Sequence, residues 1–435
     1  MDKLIPRMYK TYGIYVNSFR SFPLKDDGCK PIERRVLLSA YEIARDKLVK
    51  SARIDGHVIG HYSPHGTSYG TIVQLARQGF LTPQGNFGNN LGVDPSPPAA
   101  MRYTEAKLSS LGLNNSFRLI NYIDRQESEL DPEPPFLPSM FPVCLLGKEY
   151  TQGIGFGYRT FIPCYKLEDL HKRLLWLLKI EKDEPIIKPI CDSIITSDDN
   201  TLKQLLTTGK ATLSTQGIIV EQQTSCKVVV KSWPEGRRFE SVMKKFQKEF
   251  DNGDIGISDL SNEENGNYIQ FEVLKQRNRD KIYLDFLKKL KAALKGTISF
   301  EVIIVTKEGK VELCSIDNFL LHCFNNFKTI NEVMLKTELI KLDEKIQENK
   351  DLEKLREPLR IIMAVQKVPV NESYGQLTKD SGLPIERVKD LLSKYRISKL
   401  LTMDTDITKL IESKKELEEH LNKLHDFVLD RYKEI

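Results

Sequence analysis

The chain has 435 residues, of which 40% are hydrophobic and 29% charged, and its formal net charge is +5. That balance is ordinary for a soluble globular chain, and a membrane-spanning class is excluded, since no apolar run approaches the ~20 residues that cross a bilayer. Seven cysteines without a CxxC pair argue against a disulfide framework or a zinc site. The opening MDKLIPRMYK lacks signal-peptide character, so the expectation is a cytoplasmic protein of about three domains.

The charge is unevenly placed. Residues 1–110 hold 15 Lys and Arg against 9 Asp and Glu, so the positive excess of the whole chain lies there. A basic segment attracts nucleic acid by counterion release, whatever the sequence. Within it, residues 1–20 lead to a turn at Asp26-Asp27-Gly28, and Lys30-Pro31 opens a helix, proline being suited to a first turn. Val36, Ala40 and Ile43 share one face of that helix, and Arg34 and Arg35 crowd its start, where their charge suits phosphate contact.

Residues 50–62, a turn at Ser63-Pro64-His65-Gly66-Thr67-Ser68, and residues 71–77 read as a helix-turn-helix whose second helix could enter a groove. Gln84-Gly85-Asn86-Phe87-Gly88-Asn89-Asn90 places glycines where backbone turns sharply or approaches another segment. This loop lacks the Lys-Ser/Thr of a Walker motif, and no other stretch reads as an ATP site. It runs into Ala99-Ala100-Met101-Arg102-Tyr103-Thr104-Glu105. A tyrosine hydroxyl, with an ordinary pKa of about 10, is a poor nucleophile at neutral pH. To attack a phosphodiester it needs a base or metal for its proton and a cation for the charge that builds on phosphate. Arg102 is placed to be that cation.

Beyond it, an acidic, proline-rich bend (Glu127 to Pro138) leads to Gln152-Gly153-Ile154-Gly155-Phe156-Gly157. From 166 to 318 strands are expected at 217–220, 227–230, 268–274, 300–306 and 310–316, the last two joined by a hairpin at Lys307-Glu308-Gly309. Helices are expected at 239–250 and 280–294, the latter with Ile282, Phe286, Leu290 and Leu294 on one face. Lys231, Arg237 and Arg238 read first as solvated charge, and otherwise as an extension of the basic, nucleic-acid-attracting surface. In the last third, Leu335, Leu339, Leu342, Ile346 and Asn349 form a heptad seam, and Leu410, Lys414, Leu417, Leu421, Leu424 and Val428 a second. Between them lies a compact helical knot broken at Pro369, Gly375 and Gly382-Leu383-Pro384. Asp404-Thr405-Asp406 has the spacing of a metal site but stands far along the chain from Tyr103, so no metal site is assigned.

DGCKPIERRVL (27–37), QGNFGN (84–89) and AAMRYTEAKL (99–108) together resemble the breakage-reunion (A) subunit of type IIA DNA topoisomerases, most densely over residues 20–165. That family includes gyrase A, topoisomerase IV A and the phage-type medium subunit. The resemblance implies a multidomain α+β protein. A winged-helix (CAP-like) domain would span residues 1–150, an α/β tower domain 151–318, and a long antiparallel coiled coil with a small helical C-gate dimerisation domain 319–435, the knot covering about 358–405. It casts Tyr103 as nucleophile and Arg102 as its electrostatic partner. It gives Arg20, Lys30, Arg34, Arg35, His65 and Ser68 contacts to the DNA backbone, and Ile154 the role of a wedge that bends the duplex. Ser63 stands where the family has histidine, and the helix start after it is about two residues shorter than in gyrase A. These departures bear on the fine positioning of DNA or inhibitors.

The implied activity is a transient double-strand break through a 5′-phosphotyrosine link, made by a homodimer for strand passage. A separate B subunit with ATPase and TOPRIM domains would complete a heterotetramer and bind both Mg2+ and ATP. Since the chain stops soon after the second seam, a minimal form without the DNA-wrapping C-terminal domain is expected. The competing expectation is a non-catalytic dimeric helix-turn-helix protein that binds or bends DNA and carries a coiled-coil arm. It accounts for the basic segment and the heptads but not for Arg102-Tyr103 in its context.

Overall fold

The computed structural model describes residues 4–434 apart from 236, 238, 276, 366–372 and 403–406. Arg238, Pro369 and Asp404-Thr405-Asp406 therefore lie outside the described residues. Packing divides the chain into two compact units, one ending at Phe327 and one running from Lys328 to Glu434.

The first unit begins with α1 (Leu4–Val16), a π-helical turn (Asn17–Ser21) and α2 (Pro31–Ile43). Pro31 presets the first φ of α2, and the Glu33 carboxylate accepts the Lys30 backbone N–H at 2.9 Å, so the helix start is satisfied locally. Val36, Leu37 and Ala40 are fully buried. β1 (Val49–Lys50) runs straight into α3 (Ser51–His61), and α4 (Tyr69–Gln78) follows a turn in which Gly66 has φ +118°. Gly79 caps α4 in the left-handed region. β2 (Leu81–Gln84) then pairs antiparallel with β3 (Glu105–Leu108), whose other edge takes β1. α5 (Ser110–Ser116) closes this part, with the Ser109 hydroxyl accepting the Gly112 N–H. Ile54, Val58, Ile72, Leu75, Phe80 and Ala106 are buried, so both helices and the strand after Tyr103 share an apolar interior.

Next come β4 (Thr151–Ile154), β5 (Arg159–Ile162), α6 (Leu167–Leu177), β6 (Ile194–Ile195), α7 (Asp199–Thr208) and β7 (Lys210–Gln216). β8 (Ile219–Gln222), β9 (Lys227–Val230), α8 (Phe239–Met243), α9 (Gln247–Asp251), β10 (Ile255–Asp259) and β11 (Ile269–Val273) follow. α10 (Arg279–Ala293), β12 (Lys295–Glu301), β13 (Ile303–Val305) and β14 (Val311–Leu313) complete the run. These strands make a five-stranded antiparallel sheet, ordered β4-β5-β12-β7-β6, and a four-stranded one, ordered β10-β11-β9-β8. α10 covers the second sheet with Phe286, Leu290 and Leu294 buried beside Val228, Val230 and Phe271, as its apolar spacing predicts.

Two expected elements are divided. The helix at 239–250 is interrupted by a 3-10 turn at Lys244–Phe246. The strand at 300–306 divides at Val302, where the chain leaves β7 and β5 to pair β13 with β14 around Gly309, φ +78°. β7 is a strand that the sequence does not announce: KATLSTQ buries Ala211, Leu213 and Thr215 by simple alternation, without an apolar run.

α11 (Ile316–Val365) is a 50-residue helix. Its opening belongs to the first unit, because Phe319, Leu320, Phe324 and Phe327 are buried there and Cys323 lies against the carbonyls of Lys25 and Asp26. The second unit, among its described residues, is helical: α12 (Tyr374–Ser381), α13 (Ile385–Lys394), α14 (Ile397–Thr402), α15 (Thr408–Asn422) and α16 (Leu424–Lys433). Gly375 lies inside α12 rather than at a break, whereas Gly382 (φ +68°) and Pro384 do end one helix and begin the next. Leu355, Leu359, Leu377, Val388 and Leu391 form a small core. Arg431 approaches the Met334 sulfur at 3.7 Å, Lys414 pairs with Asp343 at 2.6 Å and Tyr395 donates to Glu348 at 2.7 Å. Numbers rising on one side and falling on the other make α11 antiparallel to α15 and α16. The second heptad seam is broken at Lys423, between those two helices.

Candidate active site

Tyr103 closes a turn in which its N–H donates to the Ala100 carbonyl at 2.9 Å. That turn is fastened to the starts of two helices. The Ser51 N–H donates to Thr104 O at 2.9 Å and the Ala52 N–H to Met101 O at 3.3 Å, filling donors that the first turn of α3 leaves unpaired. Thr104 donates its hydroxyl to Ser51 Oγ at 2.8 Å and lies 3.1 Å from the Tyr69 hydroxyl, which itself donates to Ala99 O at 2.6 Å. Tyr69 is the first residue of α4. Gly85 completes the fit: it has φ +97°, and a Cβ there would come within 3.0 Å of the Tyr103 carbonyl.

The side chains of this turn face outward. Tyr103 is 64% exposed, and the Arg102 guanidinium carbon stands 4.5 Å from the centre of its ring. Such a cation–π contact holds a positive charge beside the phenol without burying either group. Two neighbouring tyrosines show the contrast. Tyr62 is buried with its hydroxyl donated to Glu42 at 2.6 Å, and burial together with that hydrogen bond pushes its pKa up. Tyr69 commits its hydroxyl to the turn. Of these three phenols, Tyr103 is the exposed one.

The other candidates separate into groups. Arg20 is exposed on the π-helical turn, its guanidinium 6.0 Å from the Tyr15 ring centre. Lys30 donates its ammonium to the Gln152 carbonyl at 2.5 Å, gripping the strand that carries Ile154. Arg34 is corrected from a phosphate contact to a structural group, since its Nε lies 2.7 Å from one Asp27 oxygen and a terminal nitrogen 3.2 Å from the other, inside the fold. Ser68 is corrected likewise. It is buried, and its N–H and hydroxyl donate to Asp55 Oδ1 at 2.5 and 2.7 Å. Helical spacing does not reveal which first-turn cation faces inward, and turn residues look polar whether or not they are buried.

Arg35 and His65 meet the acidic bend. Arg35 holds Glu133 in a bidentate pair with contacts of 2.8 and 3.1 Å, and His65 Nε2 is 2.9 Å from Glu129. A phosphate at either side chain must displace that carboxylate. Asp131 adds a third such pair, 2.6 Å from His61 Nδ1.

Ile154 ends β4 and is 79% exposed, a large apolar side chain standing in solvent. Its hairpin is rigidly seated. The Ser21 hydroxyl donates to Ile154 O at 2.8 Å, Asn17 accepts the Phe156 N–H at 2.7 Å and donates to Phe156 O at 3.0 Å, and the Phe156 ring packs edge-on against Tyr9 and Tyr12. The alternating glycines follow from this contact: a Cβ at Gly153 would meet Ser21 O at 2.1 Å, and one at Gly155 would meet Asn17 Oδ1 at 2.2 Å. Replacing Asn17 by Ala leaves the buried side of the Phe156 peptide unpaired. The expected result is a loss of about 1–3 kcal/mol in stability, with faster amide exchange at Phe156, measurable by thermal melting and exchange mass spectrometry.

Sequence reasoning missed the residues that hold these groups: Ser51, Asp55, Tyr69 and Thr104 around the phenol, and Asn17 and Ser21 under the hairpin. For Asp55, an acid on the inner face of an amphipathic helix just before a Ser/Thr-rich turn was the available signal.

The family model for the DNA gyrase/topoisomerase IV A subunit matches residues 20–434. The chain belongs to that family. Among the relatives, the DNA gyrase A protein of Thermotoga maritima is 29% identical over 355 residues, covering 74% of this chain and 43% of the relative. The Kosmotoga olearia protein of the same name is 25% identical over 453 aligned positions, covering 95% and 54%. That of Campylobacter jejuni is 38% identical over 195 residues, covering 41% and 22%. The chain thus spans about half the length, or less, of these gyrase A relatives. Among the described residues, no helix is long and apolar enough to cross a membrane.

Proposed function

We propose that this chain is the breakage-reunion subunit of an ATP-dependent type IIA DNA topoisomerase. The observation that carries the reading is the accessible Tyr103 side chain, with Arg102 against its ring, on a turn fastened to α3 and α4. In this reading β1, α3, α4, β2 and β3 are a winged-helix domain within residues 1–150. The five- and four-stranded sheets of 151–318 are the tower. The antiparallel helices of 319–435 are the coiled-coil arm, with the core around Leu359, Leu377 and Val388 as its dimerising tip.

Tyr103 Oη attacks a DNA phosphorus, loses its proton, and becomes bonded to the 5′ phosphate as the bond to the 3′ oxygen breaks; that oxygen takes up a proton. One phosphoester replaces another, so resealing is the same step reversed. Arg102 balances the charge gathered on the phosphoryl oxygens, with Arg20 along the duplex backbone and Ile154 wedged between base pairs to bend it. Two copies of the chain cut the two strands. Among the described residues no group of three or more His, Cys, Asp or Glu is placed to hold a metal. Mg2+ and ATP are assigned to a TOPRIM- and ATPase-bearing B subunit, with which the chain forms a heterotetramer. The seven free cysteines suit a reducing cytoplasm.

The test combines the chain with a type IIA B subunit, Mg2+ and supercoiled plasmid, followed by detergent. Linear plasmid covalently attached to this chain is the expected product. DNA binding without any detergent-stable attachment would overturn the reading.

A further inference from the structure

The loop that precedes the nucleophile, residues 85–98, is closed at its base and held at its tip. Ala99 N–H donates to Asn86 O at 2.9 Å and Asn89 N–H to Ser96 O at 3.0 Å. At the tip, the partners come from the four-stranded sheet, far along the chain: Asn267 Oδ1 accepts the Gly92 N–H at 2.8 Å, and Asp259 Oδ2 accepts the Val93 N–H at 2.8 Å. Gly92 has φ +75°, a backbone conformation that favours glycine, and a Cβ there would lie 2.5 Å from Asp259 Oδ2, so that carboxylate would have to shift. The Val93 side chain packs against the apolar core of that sheet.

Both jaws sit on one tight connection. Asp259 is the last residue of β10 and Asn267 comes shortly before β11, and the connection between them is braced by Leu260 N–H donating to Tyr268 O at 2.9 Å and Ser261 N–H donating to Asp259 Oδ1 at 3.0 Å. Although burial works against it, the Ser261 and Val93 donors hold the Asp259 carboxyl below its ordinary range. From the tip, the chain runs through Pro95, Pro97 and Pro98 to Ala99, whose carbonyl Tyr69 holds. Prolines fix φ, so this stretch transmits a displacement of the tip instead of absorbing it.

We propose that Asp259 and Asn267 are positioning residues for Tyr103, clamping the loop tip so that the four-stranded sheet and the nucleophile turn shift together. This rests on the reading of Tyr103 as nucleophile. Its consequence is that a duplex pressing on the sheet is felt at the phenol, which ties cleavage to the seating of DNA beyond the cleaved bond.

The experiment compares wild type with the Asp259→Ala/Asn267→Ala double variant, each assembled with a type IIA B subunit, Mg2+ and plasmid. Covalent-complex formation should slow about ten- to a hundredfold, the scale of a small misplacement of a reacting group, while equilibrium DNA binding is unchanged. Asp259→Asn keeps an oxygen acceptor for Val93 and should recover most of the rate. On the chain alone, amide exchange at Gly92 and Val93 should quicken about tenfold in the double variant. Wild-type cleavage by the double variant, unaltered exchange at those two amides, or an equal loss of DNA binding and cleavage overturns the proposal. Should the wild-type assembly form no adduct, the reading of Tyr103 fails, and the exchange result still decides the clamp.

Discussion

Tyr103→Phe is expected to abolish the covalent protein–DNA adduct while leaving DNA binding and stability intact. The substitution removes one oxygen from an exposed ring. Exposed positions of this kind change stability by roughly 0.5 kcal/mol or less, and the Phe ring still offers a face to Arg102, which stands 4.5 Å from its centre in the wild type. What disappears is the proposed nucleophile, and Tyr62 and Tyr69 are no substitutes because their hydroxyls are held by Glu42 and Ala99 O. The measurement is a detergent-trapped cleavage assay beside a DNA-binding titration and a melting curve. Adduct persisting in the variant would show that another residue attacks. Arg102→Ala should behave differently, slowing cleavage by about a hundred- to a thousandfold, the cost of losing one preorganised charge partner, without removing the adduct altogether.

The second large effect is structural. Asp27→Ala should lower stability by about 3–5 kcal/mol, the range for removing one member of a buried ion pair. Asp27 is fully buried and accepts four hydrogen bonds: two from Arg34, at 2.7 and 3.2 Å, and one each from the N–H groups of Cys29 and Leu137, at 2.8 and 3.0 Å. Without it, the Arg34 charge stays buried beside Glu33, whose own carboxyl is pushed up by burial, and two backbone donors lose their partner. Asp27→Asn should be milder, retaining an acceptor but not the charge. Chemical denaturation of both variants checks this. A loss under about 1 kcal/mol for the alanine change would mean that Arg34 can escape to solvent, and would return it to the DNA-binding candidates.

These two predictions mark the line between what the chain declares locally and what folding decides. The sequence by itself determined the family, through three short motifs, and with it the proposal of Tyr103 as the phenol and Arg102 as its arginine. It also determined the apolar face of α10, because helical periodicity is written at fixed spacing and needs no partner to be read. The tertiary structure alone decided which cations remain available. Arg34 and Arg35 are adjacent in sequence, yet one is locked to the nearby Asp27 and the other to Glu133, far along the chain. It decided that Ser68 is interior, that KATLSTQ is a strand, and that the glycines around Ile154 are required by Asn17 and Ser21 pressing on that strand. It also brought Asp259 and Asn267 to the loop before Tyr103. Each of these depends on contacts between segments distant in the chain, and a side chain's chemistry states what it can bond to, whereas only the packed fold states what stands within hydrogen-bonding reach of it.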